Sequence, residues 1–152
     1  MLDVGDEAPD FELRDQHGQS VSLSRLRGRK HVLLVFYPAV FSNVCSSELS
    51  NLRDWWPQEG RDDAELVAIS CDPMFALRGY SDVEGIEYPL LSDFWPHGEV
   101  ARAYGVFDDS SGTPRRSSYL IDTDGRVAWA VHNARPDRRP IEAYEAALAD
   151  LS

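Results

Sequence analysis

Cysteine and histidine are scarce in this 152-residue chain, which has two of the first and four of the second. Cys45 and Cys71 have no cysteine near them, so there is neither a CxxC pair nor the spacing of a zinc knuckle. The histidines are scattered and form no HxH or HExxH arrangement: His17, His31, His97 and His132. A metal site would have to be assembled by the fold alone, and we expect neither a metal nor a cofactor.

Long apolar runs and excess positive charge are also lacking. No stretch approaches the roughly 18 apolar residues of a membrane-spanning helix. The opening MLDVGDEAPDF is acidic and has no basic-then-apolar secretory pattern, so we expect a cytoplasmic location. The net charge of −11 argues against nucleic acid and anionic membranes as partners. Without repeats or linkers, the chain is expected to form one domain over residues 1–152.

The chain does contain alternating strand and helix patterns. A β-hairpin is predicted near the N-terminus, at 11–14 and 20–23. Further strands are predicted at 31–37, 64–70, 88–93, 116–122 and 126–131. Helices are predicted at 46–56, 72–81, 98–104 and 141–151, with Pro57 ending the first. This order favours a mixed central sheet with a right-handed βαβ unit and helices on both faces, which is the thioredoxin-like arrangement.

Cys45 lies where the strand at 31–37 gives way to the first long helix. It shares one helical face with Leu49, Leu52 and Trp56. In the first turn of a helix, unpaired N–H groups and the positive end of the dipole favour an anion. A thiol placed there is expected to ionise more easily than an ordinary cysteine. The alternative is that Cys45 is simply a small buried apolar residue.

The residues around Cys45 resemble a known family. Pro38, Ser42 and Cys45 fit the pattern P-x-x-x-[T/S]-x-x-C of the peroxiredoxins, and Arg116 matches the distant arginine of that family. The segments VGDEAPDFEL, VLLVFYPAVFSNVCSSEL and YPLLSDFWPHGEVARAYGVF are similar as well, the last especially to the one-cysteine alkyl hydroperoxide reductase E type. The likeness covers about residues 2–131. It implies an enzyme that reduces hydrogen peroxide and organic hydroperoxides through Cys45, which cycles from thiolate to sulfenic acid.

Peroxide reduction by a thiol gives each neighbour of Cys45 a possible role. The reaction needs a thiolate, together with donors that hold the O–O bond in line and stabilise the departing oxygen. Ser42 would place a hydroxyl there, and Arg116 would bring a permanent cation. Pro38 would shield the sulfur without adding a donor, and the Cys45 N–H could point into the same space. By resemblance, Glu48 holds the arginine in place.

Each of these residues also has a purely structural interpretation. Ser42 fits the N-cap of the helix as well as it fits a catalytic position, and both can hold. Pro38 could simply end a strand. Arg116 could form a surface salt bridge, with Arg115 as its competitor for the site. Glu48 could be a solvated acid favoured by the helix dipole.

Cys71 is the one internal candidate for a resolving thiol. It follows the strand at 64–70, whereas resolving cysteines of the family lie elsewhere, and position 50 is a serine. We therefore predict a one-cysteine mechanism, with Cys71 as a buried or loop residue. The resemblance implies an external thiol as reductant, either a small cellular thiol or a glutaredoxin-like or thioredoxin-like protein. It also implies a homodimer.

Two other classes of function fit the same fold. A thiol–disulfide oxidoreductase usually needs a second thiol two residues away, and positions 42 and 48 are serine and glutamate. A non-catalytic interaction or holdase module would leave Cys45 sluggish toward peroxide. The aromatic run at 94–97 is expected to serve core packing and a turn, with a substrate wall or partner surface as the alternative.

Overall fold

The computed structural model describes residues 1–132 and 140–151. The single domain predicted over residues 1–152 includes residues 133–139 and Ser152, which are not among the described residues. The strands in the described ranges are β1 (Glu12–Arg14), β2 (Ser20–Ser22), β3 (His31–Phe36), β4 (Ala64–Ser70), β5 (Leu90–Ser92), β6 (Phe107–Asp108), β7 (Thr113–Pro114), β8 (Ser117–Ile121) and β9 (Val127–His132). The helices there are α1 (Leu23–Leu26), α2 (Asn43–Glu59), α3 (Met74–Glu84), α4 (Glu99–Ala103) and α5 (Ile141–Ala149).

Seven of these strands form one mixed sheet in the order β2-β1-β5-β4-β3-β8-β9. The inner strands β3, β4 and β5 run parallel, as expected for strands joined by helices. β8 runs antiparallel to β3 and is followed by β9 in a hairpin. The N-terminal hairpin joins the same sheet through β1 and β5. The mixed sheet of the thioredoxin-like arrangement is therefore confirmed.

Alternation along the strands divides the apolar side chains between two cores. One core packs Leu33, Val35 and their neighbours against α2, α3 and α5. The other packs Val32, Leu34 and Phe36 against α1 and α4. Both faces of β3 and β4 are covered, which explains their nearly continuous apolar sequences.

The course of α2 corrects one prediction from the sequence. Pro57 lies inside the helix, which continues to Glu59 and ends at Gly60 in the left-handed region. A proline in the last turn removes one hydrogen bond, and the packed face of α2 holds the helix together past it. The apolar stripe also differs in detail, because Trp55 is buried while Trp56 is only partly covered.

Short elements were missed by the sequence patterns. The single turn α1 and the two-residue strands β6 and β7 are too brief to show a period. The other predicted elements are confirmed, with ends displaced by up to three residues. Among the described residues, no helix combines the length and the apolarity needed to cross a membrane.

Two glycines on the long helices give a stability test with opposite signs. Gly60 has a φ of 59° at the end of α2, whereas Gly79 lies inside α3, and a Cβ at either position would meet no atom within 4 Å. Gly60→Ala is expected to destabilise the protein by about 1 kcal/mol, because the left-handed region disfavours a Cβ. Gly79→Ala is expected to stabilise it by about 0.5–1 kcal/mol through helix propensity. Urea unfolding at one fixed protein concentration measures both, and shifts of the same sign would contradict this reading of the backbone.

Candidate active site

Cys45 occupies the first turn of α2 and is fully buried. The helix begins after Ser42, whose side chain accepts a hydrogen bond from the Cys45 N–H at 3.3 Å. The Ser42 hydroxyl in turn donates to the Ala39 carbonyl at 3.3 Å. The N-cap interpretation of Ser42 is thus confirmed. The Cys45 N–H was expected to point into the reaction space, but it donates a hydrogen bond to the Ser42 hydroxyl instead.

Arg116 reaches Cys45 from the far side of the sequence. Its Nη1 lies 3.2 Å from the Cys45 Sγ and 2.7 Å from Oε1 of Glu48. Topology brings these groups together: β8 begins next to the end of β3, with Ser117 opposite Phe36, and α2 starts a few residues beyond β3. The thiol, the guanidinium and the carboxylate therefore share one edge of the sheet.

The ion pair of Arg116 and Glu48 is buried, with side-chain exposures of 10% and 4%. The alternative interpretations, a surface salt bridge for Arg116 and a solvated acid for Glu48, are both wrong. Arg115, the competing arginine, turns away, since its guanidinium donates to the Phe107 carbonyl at 3.3 Å. The guanidinium of Arg116 and the start of α2 are thus the two positively polarised groups beside the Cys45 sulfur.

The connection between β3 and α2 carries Pro38, partly exposed, and Val40, which is buried. The Val40 N–H donates to Oδ2 of Asp72 at 3.0 Å. Phe41 has a φ of 68° and packs its ring edge-on against Tyr80. Sequence patterns did not point to Asp72 or Tyr80. The available signal was positional, since Asp72 follows β4, the parallel neighbour of β3.

Cys71 lies on the other side of the sheet from Cys45. It continues the alternation of Val67 and Ile69, whose side chains pack in the core with α4. Cys45, in contrast, belongs to the core on the α2 side. Burial, followed by the negative charges of Asp93 and Asp72, raises the pKa of the Cys71 thiol to about 12. Cys71 is therefore buried, as predicted, and stays protonated near neutral pH.

The aromatic run after β5 forms the turn that was predicted, but the core packing expected of it is wrong. Phe94 is half-exposed and Trp95 is 82% exposed, so neither serves core packing. His97 contacts the Gly112 carbonyl through Nε2 at 2.7 Å. Phe41 and Phe75 are also largely exposed. Among the described residues, no group of three or more His, Cys, Asp or Glu side chains could hold a metal ion.

Comparison with known proteins gives consistent results. A profile of the AhpC/TSA family matches residues 4–130. Alkyl hydroperoxide reductase E of Mycobacterium tuberculosis is 43% identical over 152 residues, covering 100% of this chain and 99% of that protein. The selenocysteine-containing peroxiredoxin PrxU of Peptoclostridium acidaminophilum is 35% identical, with 84% of this chain and 66% of that protein covered.

Solved structures agree with the fold. The crystal structure of peroxidoxin BcpB from Mycobacterium tuberculosis superposes with a TM-score of 0.89 at 32% identity, covering 100% of this chain and 99% of that one. Enterococcus faecalis AhpC gives a TM-score of 0.87 at 29% identity, with 98% and 92% covered.

The environment of Cys71 predicts its reactivity. In the Cys45→Ser protein, where Cys71 is the remaining thiol, alkylation by iodoacetamide at pH 7.5 is expected to be on the order of a thousandfold slower than for an ordinary cysteine. The reason is that a thiol with a pKa of about 12 is almost entirely protonated there. The rate is expected to keep rising above pH 9, where an ordinary cysteine levels off. The same variant in denaturant is the control, and a plateau below pH 9 in the folded protein would contradict the prediction.

Proposed function

Because this chain belongs to the AhpC/TSA family and is a peroxiredoxin, an enzyme that reduces peroxides, we propose that Cys45 is its peroxidatic cysteine. The thiolate of Cys45 attacks one oxygen of a hydroperoxide, the S–O bond forms and the O–O bond breaks. The departing oxygen takes up a proton and leaves as water or an alcohol, and Cys45 becomes a sulfenic acid. The observation that carries this proposal is the Arg116 guanidinium 3.2 Å from the Cys45 Sγ in the first turn of α2.

Arg116 has two functions in this mechanism. Before the reaction its guanidinium donates a hydrogen bond to the sulfur that attacks. During the reaction its donors stabilise the negative charge that develops on the departing oxygen. Glu48, bound to the same Nη1 at 2.7 Å, keeps the guanidinium from swinging toward solvent. Glu48 therefore acts through Arg116 and does not touch the substrate.

Ser42 and Pro38 define the approach to the sulfur. The two hydrogen bonds of the Ser42 hydroxyl are both 3.3 Å long, so a peroxide oxygen can replace either at small cost. Threonine, the other residue that the family pattern allows at position 42, would add a methyl group that restricts the side chain. Serine lacks this methyl group, and the two hydrogen bonds orient its hydroxyl instead. Pro38 has no N–H and offers no competing donor.

Regeneration of Cys45 requires a thiol from outside the chain. Cys71 lies beside Gly98 and Arg102 at α4, away from the core that holds Cys45, and its raised pKa leaves it a poor nucleophile. An external thiol condenses with the sulfenic acid, which releases water and forms a mixed disulfide. A second thiol then displaces Cys45 as thiolate. We propose a small cellular thiol or a glutaredoxin-like or thioredoxin-like protein in this role, in the cytoplasm, where thiols are kept reduced.

We further propose that the protein is a homodimer. Three exposed aromatic side chains follow the carboxyl ends of the parallel strands: Phe41 after β3, Phe75 after β4 and Trp95 after β5. Monomers rarely expose large apolar surface at one edge, and aromatic residues are enriched where proteins associate. These three residues are defined here as the aromatic edge.

Substitution of each cysteine tests the peroxidase mechanism. Cys45→Ser is expected to lower peroxide consumption at least about a thousandfold, because the nucleophile is gone. Cys71→Ser is expected to keep the rate of the first oxidation of Cys45. Stopped-flow mixing with hydrogen peroxide measures both, and rapid turnover by the Cys45→Ser protein would falsify the proposal.

Mass spectrometry after one equivalent of peroxide tests the one-cysteine part of the mechanism. With dimedone present, the adduct is expected on Cys45 alone. Without it, no Cys45–Cys71 disulfide is expected, because Cys71 lies beside Gly98 and Arg102 at α4, whereas Cys45 belongs to the core on the α2 side. A disulfide formed in high yield within one chain would exclude the external-thiol mechanism while leaving the peroxidase activity intact.

Sedimentation velocity at micromolar concentration tests the homodimer. Phe75→Asp places a charge on the aromatic edge and is expected to shift the population to monomer. Val4→Asp is the matched control, since Val4 is also exposed but lies near the start of β9, away from that edge. A wild-type monomer, or equal dissociation of both variants, would rule the interface out.

A further inference from the structure

The segment between β3 and α2 holds an unfavourable backbone conformation. Phe41 has a φ of 68°, a left-handed region that residues with bulky side chains seldom adopt. Its side chain is 61% exposed and packs against Tyr80 through one edge-on ring contact. Such a conformation persists where surrounding contacts hold it in place. The same segment carries Pro38 and Ser42, so its geometry decides where both stand relative to Cys45.

Asp72, which follows β4, accepts the hydrogen bond that ties this segment to the neighbouring part of the sheet. Its Oδ2 accepts from the Val40 N–H at 3.0 Å. Val40 itself is buried, so this N–H needs a partner within the protein. A hydrogen bond from a backbone N–H to a carboxylate is stronger than one to a neutral acceptor.

Asp72 is in turn fixed by the ends of β4 and β5. The hydroxyl of Ser70, which is fully buried, donates to the same Oδ2 at 2.7 Å. The hydroxyl of Ser92 donates to the Asp72 carbonyl at 2.6 Å. Asp72 is therefore held through both its side chain and its backbone. These contacts fix the position of the carboxylate that accepts from the Val40 N–H.

We propose that Asp72 is a positioning residue for the peroxidase reaction. Through the Val40 N–H, its carboxylate holds the 38–42 segment in the conformation that places Pro38 and the Ser42 hydroxyl around Cys45. This inference rests on the proposed function of Cys45. It assigns to the Ser70–Asp72 pair the task of fixing the 38–42 segment relative to the ends of β4 and β5.

Substitutions at Asp72 separate its hydrogen bonds from its charge. Both bonds end on one oxygen, so the amide oxygen of Asp72→Asn can accept both while the charge is removed. Asp72→Ala removes both bonds. Ser70→Ala leaves the carboxylate but removes the hydroxyl that orients it. Asp62→Ala is the matched control, an exposed acid before the amino end of β4.

The measurement is the second-order rate constant for oxidation of Cys45 by hydrogen peroxide. Asp72→Ala is expected to lower it about tenfold to a hundredfold, since displacement of reacting groups by about 1 Å has an effect of this size. Asp72→Asn is expected to stay within about threefold of wild type, and Ser70→Ala to lose about threefold to tenfold. Alkylation of Cys45 by iodoacetamide needs the thiolate but no in-line peroxide, so it is not expected to fall in any of these variants.

Each other outcome has a definite meaning. If Asp72→Ala folds and reacts at the wild-type rate, or Asp72→Asn loses as much as Asp72→Ala, the inference is overturned. It is also overturned if alkylation and peroxide reaction fall in parallel, because Asp72 would then act on the thiolate. If Asp72→Ala does not fold, the rate constants of Asp72→Asn and Ser70→Ala test the inference, which is overturned if Ser70→Ala reacts at the wild-type rate. A wild-type protein whose Cys45 is slow with peroxide would instead overturn the proposed function.

Discussion

A guanidinium held against a sulfur atom inside the protein is the interaction on which the site depends. A buried cation is costly unless opposite charge accompanies it. Arg116 meets this need with Glu48, one turn of α2 beyond Cys45. The thiol and the carboxylate thus share one cation and one helix, and in the proposed reaction the departing oxygen brings a further negative charge to the same guanidinium. The helix N-terminus and the fork of the guanidinium have to accommodate that charge together.

The mixed sheet is what brings the separate parts of the site to one edge. β3 leads into α2 and delivers Cys45 and Ser42, while its parallel neighbour β4 ends at Asp72. β8 runs the other way on the opposite side of β3, so its first residues, and Arg116 before them, lie at that same edge. Three strand ends therefore contribute, although the residues they carry are far apart in sequence.

The sequence was sufficient for the long elements and for the residues near Cys45. Period and length located β4 and α2, and the P-x-x-x-[T/S]-x-x-C spacing located Ser42 without geometry. Contacts between distant segments could not be obtained in this way. The burial of Glu48 depends on Arg116, which directly precedes β8, and the exposure of Trp95 depends on where β5 ends. Pro57 misled the prediction because packing of α2 on the sheet outweighs one missing hydrogen bond.

The Ser42 hydroxyl has its donor and one acceptor position engaged before any substrate arrives. In the proposed mechanism, a peroxide that reaches Ser42 exchanges hydrogen bonds instead of adding to their number. Little net enthalpy is then available to retain the substrate, and a ligand of a few atoms offers little else. Under the proposed function, weak retention of the peroxide makes the reaction rate rise in proportion to the peroxide concentration.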